Sequence, residues 1–196
     1  MDSIASLSTA IDALHRLYSV PHVVITSVTV PSVTSSSSTT STATEEKEEE
    51  EEEKTMFCAG STIVASSGAS RKFVVDVPLI DGFYSGTGDL FAALTLARLR
   101  EGSAAAGLLL REGWIPDDAV PALDLPLAKA VEKVLGSMHS VLERTRDARD
   151  VELAAAAAAG SARDHRAVTK ASELRLVQSQ KELLRPVAIC SARILE

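Results

Sequence analysis

Gly86-Thr87-Gly88-Asp89 runs straight into Leu90 to Leu99, a stretch with no charge before Arg98. Two glycines around a threonine let the backbone take conformations closed to residues with a Cβ, so successive N–H groups can face one concavity. A helix beginning at Asp89 or Leu90 adds its own unpaired N–H groups and positive dipole end at the same place, which suits a phosphate. Asp89 then stands at the mouth as a carboxylate that can take a proton from an attacking hydroxyl while the backbone donors hold the charge on a transferred phosphoryl group. The competing reading is a simple turn and helix cap, and from the four residues alone it is the commoner one. The helix that follows is apolar nearly all round, which predicts a central helix whose packing on every side keeps the turn rigid.

The flanks decide between the two readings. Asp81-Gly82-Phe83-Tyr84-Ser85-Gly86-Thr87-Gly88-Asp89-Leu90-Phe91-Ala92-Ala93-Leu94 resembles the catalytic signature of pyridoxal kinases, a branch of the ribokinase-like superfamily. Three further stretches resemble the same family in the same order: Val20 to Ser27, Met138 to Thr145, and Glu173 to Ser179. The resemblance extends over most of Leu17 to Pro186 and corresponds to the C-terminal half of such a kinase. It implies a ribokinase-like layered α/β sheet, incomplete because the N-terminal half is missing.

At 196 residues and 45% hydrophobic content the chain is long enough for one domain with a sizeable core. Its net charge of −7 is concentrated in Glu45 to Lys54, eight glutamates and two lysines, so no basic face argues for nucleic acid. Cys58 and Cys190 make neither a disulfide framework nor a Cys-x-x-Cys pair, and the four histidines have no metal-site spacing. With no leader-like start and no apolar run of membrane-spanning length, the chain reads as cytoplasmic, without a membrane partner.

In chain order, Ile4, Leu7, Ile11, Leu14 and Leu17 form a helical stripe ended by Pro21, and His22 to Val28 reads as a strand buried on both faces. Thr26 and Ser27 then fall near its carboxyl end, where open parallel sheets place ligands. Pro31 to Thr44 is mostly Ser and Thr and the glutamate run follows, so residues 31–55 are expected to be a disordered insertion between a first kinase segment, 1–30, and the remainder, 56–196. Met56 to Ala65 and Lys72 to Val77 read as an antiparallel pair joined by a turn at Ser66 to Ser70. Prolines 116, 121 and 126 predict a connecting region around Trp114, after which Leu127, Val131, Val134, Met138, Val141 and Leu142 follow helical spacing. The alanine-rich Leu153 to Ala159 reads as weakly anchored helix with Gly160 as a stop, and Leu176 and Val177 stand in a strand-like context.

What the resemblance implies is transfer of the γ-phosphoryl group of MgATP to the 5′-hydroxymethyl of pyridoxal, pyridoxine or pyridoxamine, with a monovalent cation such as K⁺ expected. It assigns Asp89 as base, and Gly86, Thr87 and Gly88 as the anion cup. Thr26, Ser27, Ile80, Asp81, Gly82, Thr87 and Leu142 become ATP contacts, and Tyr84 joins Asp89 on the vitamin side. No protein cluster is expected to hold the metal. An incomplete sheet also invites homodimerisation or association through its open edge. The alternatives are a noncatalytic remnant that serves as an interaction module, and a ribokinase-like sugar kinase.

Overall fold

The computed structural model describes residues 4–30, 55–159 and 165–195. The Ser/Thr/Glu segment from Pro31 to Lys54 and the helix stop expected at Gly160 lie outside them. The described elements are helix α1 (Ile4–Tyr18), strands β1 (His22–Val30), β2 (Thr55–Ile63) and β3 (Ser70–Val77), helices α2 (Thr87–Ala105), α3 (Pro126–Ala158), α4 (His165–Ala171) and α5 (Gln180–Leu184), and strand β4 (Ala192–Ile194). This is the layered α/β architecture expected, with one correction to its pairing. The sheet has the order β1-β2-β3-β4 and every strand pair is antiparallel, so β1 is an edge strand rather than a member of a parallel set.

Alternation along the strands sorts two cores onto the two faces. Phe57, Ala59 and Val74 join Leu7 and Ile11 of α1, whereas Cys58, Phe73 and Val75 join Leu127, Val131 and Leu135 of α3. The β-branched run of β1 is therefore covered on both sides, as its composition predicts: Val23, Ile25 and Val28 pack toward the α1 core and Val24 toward the α3 core.

Val23 and Ile25 share a face by the two-residue period, but Val28 would fall on the opposite one. A bulge corrects this. Ile25 pairs with Ala59 and Val28 with Phe57, so β1 spends one more residue than β2 between those pairs. Thr26 and Ser27 form that bulge, and Ser27 takes the left-handed conformation at φ +58°. Contrary to the expected strand-end position, they lie within the strand, which continues to Val30.

His15 ties α1 to the sheet. Its Nδ1 donates to the Val20 carbonyl at 2.7 Å, and its Nε2 accepts from the buried Ser61 hydroxyl at 3.0 Å. His22 makes the matching tie at the start of β1. Its Nε2–H donates to the Gly113 carbonyl and its Nδ1 accepts from Thr62 Oγ1, both at 2.8 Å.

The expected hairpin of β2 and β3 is present, with the turn at residues 64–69 closed by Val64 N–H donating to the Ala69 carbonyl at 2.7 Å. The stripe predicted on α3 is also present: Leu127, Val131, Val134, Met138 and Val141 are buried and Leu142 is half-buried. The alanine-rich stretch continues α3 as regular helix through Ala158.

Two expectations are corrected. Leu176 and Val177 do not belong to a strand; a single 3-10 turn, Val177–Ser179, leads into α5, and the last strand comes later at β4. More consequential is α2, the helix expected to be central. It packs along α3 and buries only Leu99 and Ser103, while Leu96 is 64% exposed and Ala92 and Ala93 face outward. Apolar composition all round reports that several faces can be covered, not that this chain supplies the covers. The central helix is α3.

Candidate functional site

β3 ends before Pro78 and the chain crosses residues 78–86 to reach α2, so the predicted site lies at the end of the sheet from which β3 exits. Helix α2 begins at Thr87, two residues before the expected start, with Gly86 as N-cap at φ +86°. No side chain caps it, and the first helical bond runs from the Leu90 N–H to the Gly86 carbonyl at 3.0 Å. Thr87, Gly88 and Asp89 therefore occupy the first turn, whose N–H groups have no partner one helical turn back. A Cβ at Gly88 would meet nothing within 4 Å, so the turn is open on that side.

Asp89 is exposed on this turn, and no hydrogen bond or ion pair engages its carboxylate among the described residues. As a carboxylate in the first turn it is also favourably placed with respect to the helix dipole. The arrangement thus presents a free base beside uncapped amide donors. In a capped helix, by contrast, the carboxylate would be spent on the N–H groups.

The preceding loop is fixed by its own contacts. Tyr84 is 8% exposed and its hydroxyl donates to the Asp81 carbonyl at 2.9 Å. Its ring lies under the Arg149 guanidinium, whose carbon is 5.4 Å from the ring centre. Phe83, by contrast, is 79% exposed. Ser85 forms a parallel bridge with Glu173, and the following Arg175 N–H donates to Thr145 Oγ1 of α3 at 3.1 Å, so the third resembled stretch braces the turn from the side.

The structure brings Ile80, Asp81, Gly82, Tyr84, Gly86, Thr87, Gly88 and Asp89 into one continuous loop and first helical turn. Thr26 and Ser27 sit exposed in the β1 bulge and Leu142 on α3, and none of the three is hydrogen-bonded to residues 86–89. The sequence reading missed Arg149. Its available signal was helical spacing, since positions 142, 145 and 149 return to one face of a helix. Among the described residues no group of three or more His, Cys, Asp or Glu is arranged to hold a metal ion, and no helix is long and apolar enough to cross a membrane.

A cleft of about 970 Å³ lies elsewhere, lined by Pro21, Ile63, Ser66 and residues 111–113 and 115–118. It belongs to the end of the sheet where β2 turns into β3, away from the exit of β3. Arg111 and Asp117 close on each other there at 2.6 Å.

No protein-family model matches the chain. Two proteins of Schizosaccharomyces pombe, provisionally named pyridoxal kinases, are each 30% identical to it, over 187 and 192 residues. The alignments cover 94% and 98% of this chain but only 46% and 48% of those proteins, so the chain spans about half the length of the curated relatives it matches. Among solved structures, a pyridoxal kinase from Leishmania donovani in complex with ADP superposes with a TM-score of 0.54 at 18% identity, covering 98% of this chain and 44% of that one. The Plasmodium falciparum enzyme with AMP-PNP and PL gives 0.55 at 14% identity, covering 100% and 44%. At such identities the structural likeness speaks to the fold. In sequence over nearly its whole length, and in fold, the chain is therefore similar to pyridoxal kinases, of which it spans about half.

Proposed function

We propose that this chain carries the phosphoryl-transfer part of a pyridoxal kinase-type site, which phosphorylates the 5′-hydroxymethyl of pyridoxal, pyridoxine or pyridoxamine from ATP and serves salvage of pyridoxal 5′-phosphate. The observation that carries the reading is the exposed, unengaged Asp89 on the same turn as the uncapped amides of Thr87 and Gly88. Relatives named for this activity and neighbours solved with ADP or AMP-PNP support it.

In this reading Asp89 takes the alcohol proton late. A carboxylate is a poor base toward a free alcohol, but the oxygen becomes far more acidic as its bond to phosphorus forms. The amides of the turn hold the charge on the transferred group without reorganising, and Thr87 lies nearest the nucleotide phosphates. Ile80, Asp81 and Gly82 line the nucleotide, with Thr26, Ser27 and Leu142 as further contacts. Tyr84, whose hydroxyl donates to the Asp81 carbonyl, stands with Asp89 on the vitamin side. Mg²⁺ fits this donor set only as an ion held chiefly by phosphate oxygens and water, where it neutralises phosphate charge. The monovalent cation stays within the proposal as well.

The open β1 edge and the exposed Leu96 and Phe83 favour a second reading, a noncatalytic module that associates with another polypeptide or a second copy, in the same cytoplasmic setting. An ATP-consumption assay across the three vitamers and free sugars separates the readings. Turnover with a vitamer that disappears in Asp89→Asn supports the kinase. Turnover with sugars alone moves the substrate class, and no nucleotide binding at any concentration, together with self-association, favours the module.

A further inference from the structure

We propose that Arg149 is a positioning residue for the Gly86–Asp89 turn, acting through Tyr84 and Gly82; the proposal rests on the kinase-type reading of that turn. Arg149 projects from α3, outside all four resembled stretches, and its side chain is only 17% exposed. Its guanidinium carbon lies 5.4 Å from the centre of the Tyr84 ring, within cation–π range. One terminal nitrogen occupies the space beside Gly82 that any Cβ there would fill, and Gly82 has φ +125°, a region closed to other residues. The Tyr84 hydroxyl in turn holds the Asp81 carbonyl at 2.9 Å.

Three consecutive features of the loop, the Asp81 carbonyl, the Gly82 backbone and the Tyr84 ring, are thereby referred to one side chain on the central helix. The partner that Arg149 bonds directly, Asp150 Oδ1 at 2.9 Å from Nε, is its exposed neighbour and orients the fork without reaching the loop. Planarity matters here. A guanidinium can lie over a ring and still present an edge to Gly82, which a lysine ammonium cannot do equally well. The Ser85–Glu173 bridge braces the residue just before the turn, and Arg149 adds a fixed reference on the preceding loop that the exposed start of α2 does not supply. An anion cup works only while its donors stay aimed, and that is what the clasp provides.

The test compares wild type with Arg149→Ala and Arg149→Lys. Amide hydrogen exchange of residues 83–90 is followed alongside β2 and β3, and ADP binding is measured by calorimetry. We expect exchange at 83–90 to rise tenfold or more in Arg149→Ala with the strands unchanged, and Arg149→Lys to recover part of the protection. ADP affinity falls at least fivefold in Arg149→Ala. Unchanged exchange at 83–90, or a rise spread equally through the strands, overturns the positioning role. A wild type that binds no ADP defeats the kinase-type reading instead, while the exchange data still decide whether Arg149 holds the loop.

Discussion

Phe73 lies over Gly60, its cross-strand partner, so closely that a Cβ at Gly60 would collide with the far edge of the ring. Phe73 is completely buried and packs in the same core as Cys58, Val75 and Leu127, so the ring has nowhere to retreat. Glycine weakens a strand through its flexibility, and here that cost is offset by the aromatic area it admits. Gly60→Ala is expected to destabilise the fold by about 1–3 kcal/mol through overpacking, read from the urea midpoint. In a Phe73→Ala background the same change should cost almost nothing. Equal costs in the two backgrounds would mean that the two residues are not coupled.

Ser27 holds a left-handed conformation in the β1 bulge, which a residue with a Cβ adopts at a cost of roughly 1–2 kcal/mol. Strain of this kind is commonly retained where a side chain is needed. Ser27→Gly should relieve it and raise stability by about 1 kcal/mol, less whatever the freer unfolded chain takes back. If Ser27 contacts nucleotide as proposed, the stabilised variant should bind ATP more weakly. A variant that is more stable and binds ATP unchanged removes Ser27 from the nucleotide contacts.

Elements written in local periodicity were legible from the residues. The stripe of α1, the β2–β3 hairpin and the buried face of α3 each follow from spacing over a few turns or strands. What the chain packs against was not legible. The uncharged run Leu90–Leu99 looks the same whether its neighbours are present or not, and α2 proves to be packed chiefly along α3, with Arg98 reaching the Leu183 and Leu184 carbonyls of α5. The bulge at Thr26-Ser27 depends on the register between β1 and β2, which no local pattern encodes. For the candidate site, contiguity made the Gly86–Asp89 turn readable. Arg149 reaches the preceding loop at Gly82 and Tyr84 from across the fold and carries no motif.

Stability should fall at both ends of the pH scale through the half-buried His22 and the buried Cys58. Burial, opposed by the bond to the Gly113 carbonyl, holds the His22 pKa below its ordinary value of 6.5. The unfolded chain therefore takes up the proton first, and stability drops as pH falls below about 6.5, levelling once folded His22 is also protonated. Burial pushes the Cys58 thiol up to about 12 from 9.0. The unfolded thiol ionises first, so stability declines as pH rises above about 9 toward 12. Urea midpoints measured against pH should show His22→Gln flattening the acid limb and Cys58→Ala flattening the alkaline limb, each relative to wild type. A variant whose limb keeps the wild-type slope would remove that group from the linkage.

Val30 and Thr55 are Cα partners, so the segment between them joins two strands already in register. Its ends are held together by the sheet whatever its length, and closing a long connection costs entropy that a short one does not. Replacing residues 31–54 by a three-residue hairpin turn shortens the loop about eightfold. At roughly 0.6 kcal/mol per doubling, that should raise stability by as much as about 2 kcal/mol. Thermal unfolding of the shortened chain should therefore match or exceed that of the original. A melting temperature several degrees lower would show that the serine- and glutamate-rich segment packs on the folded chain and stabilises it.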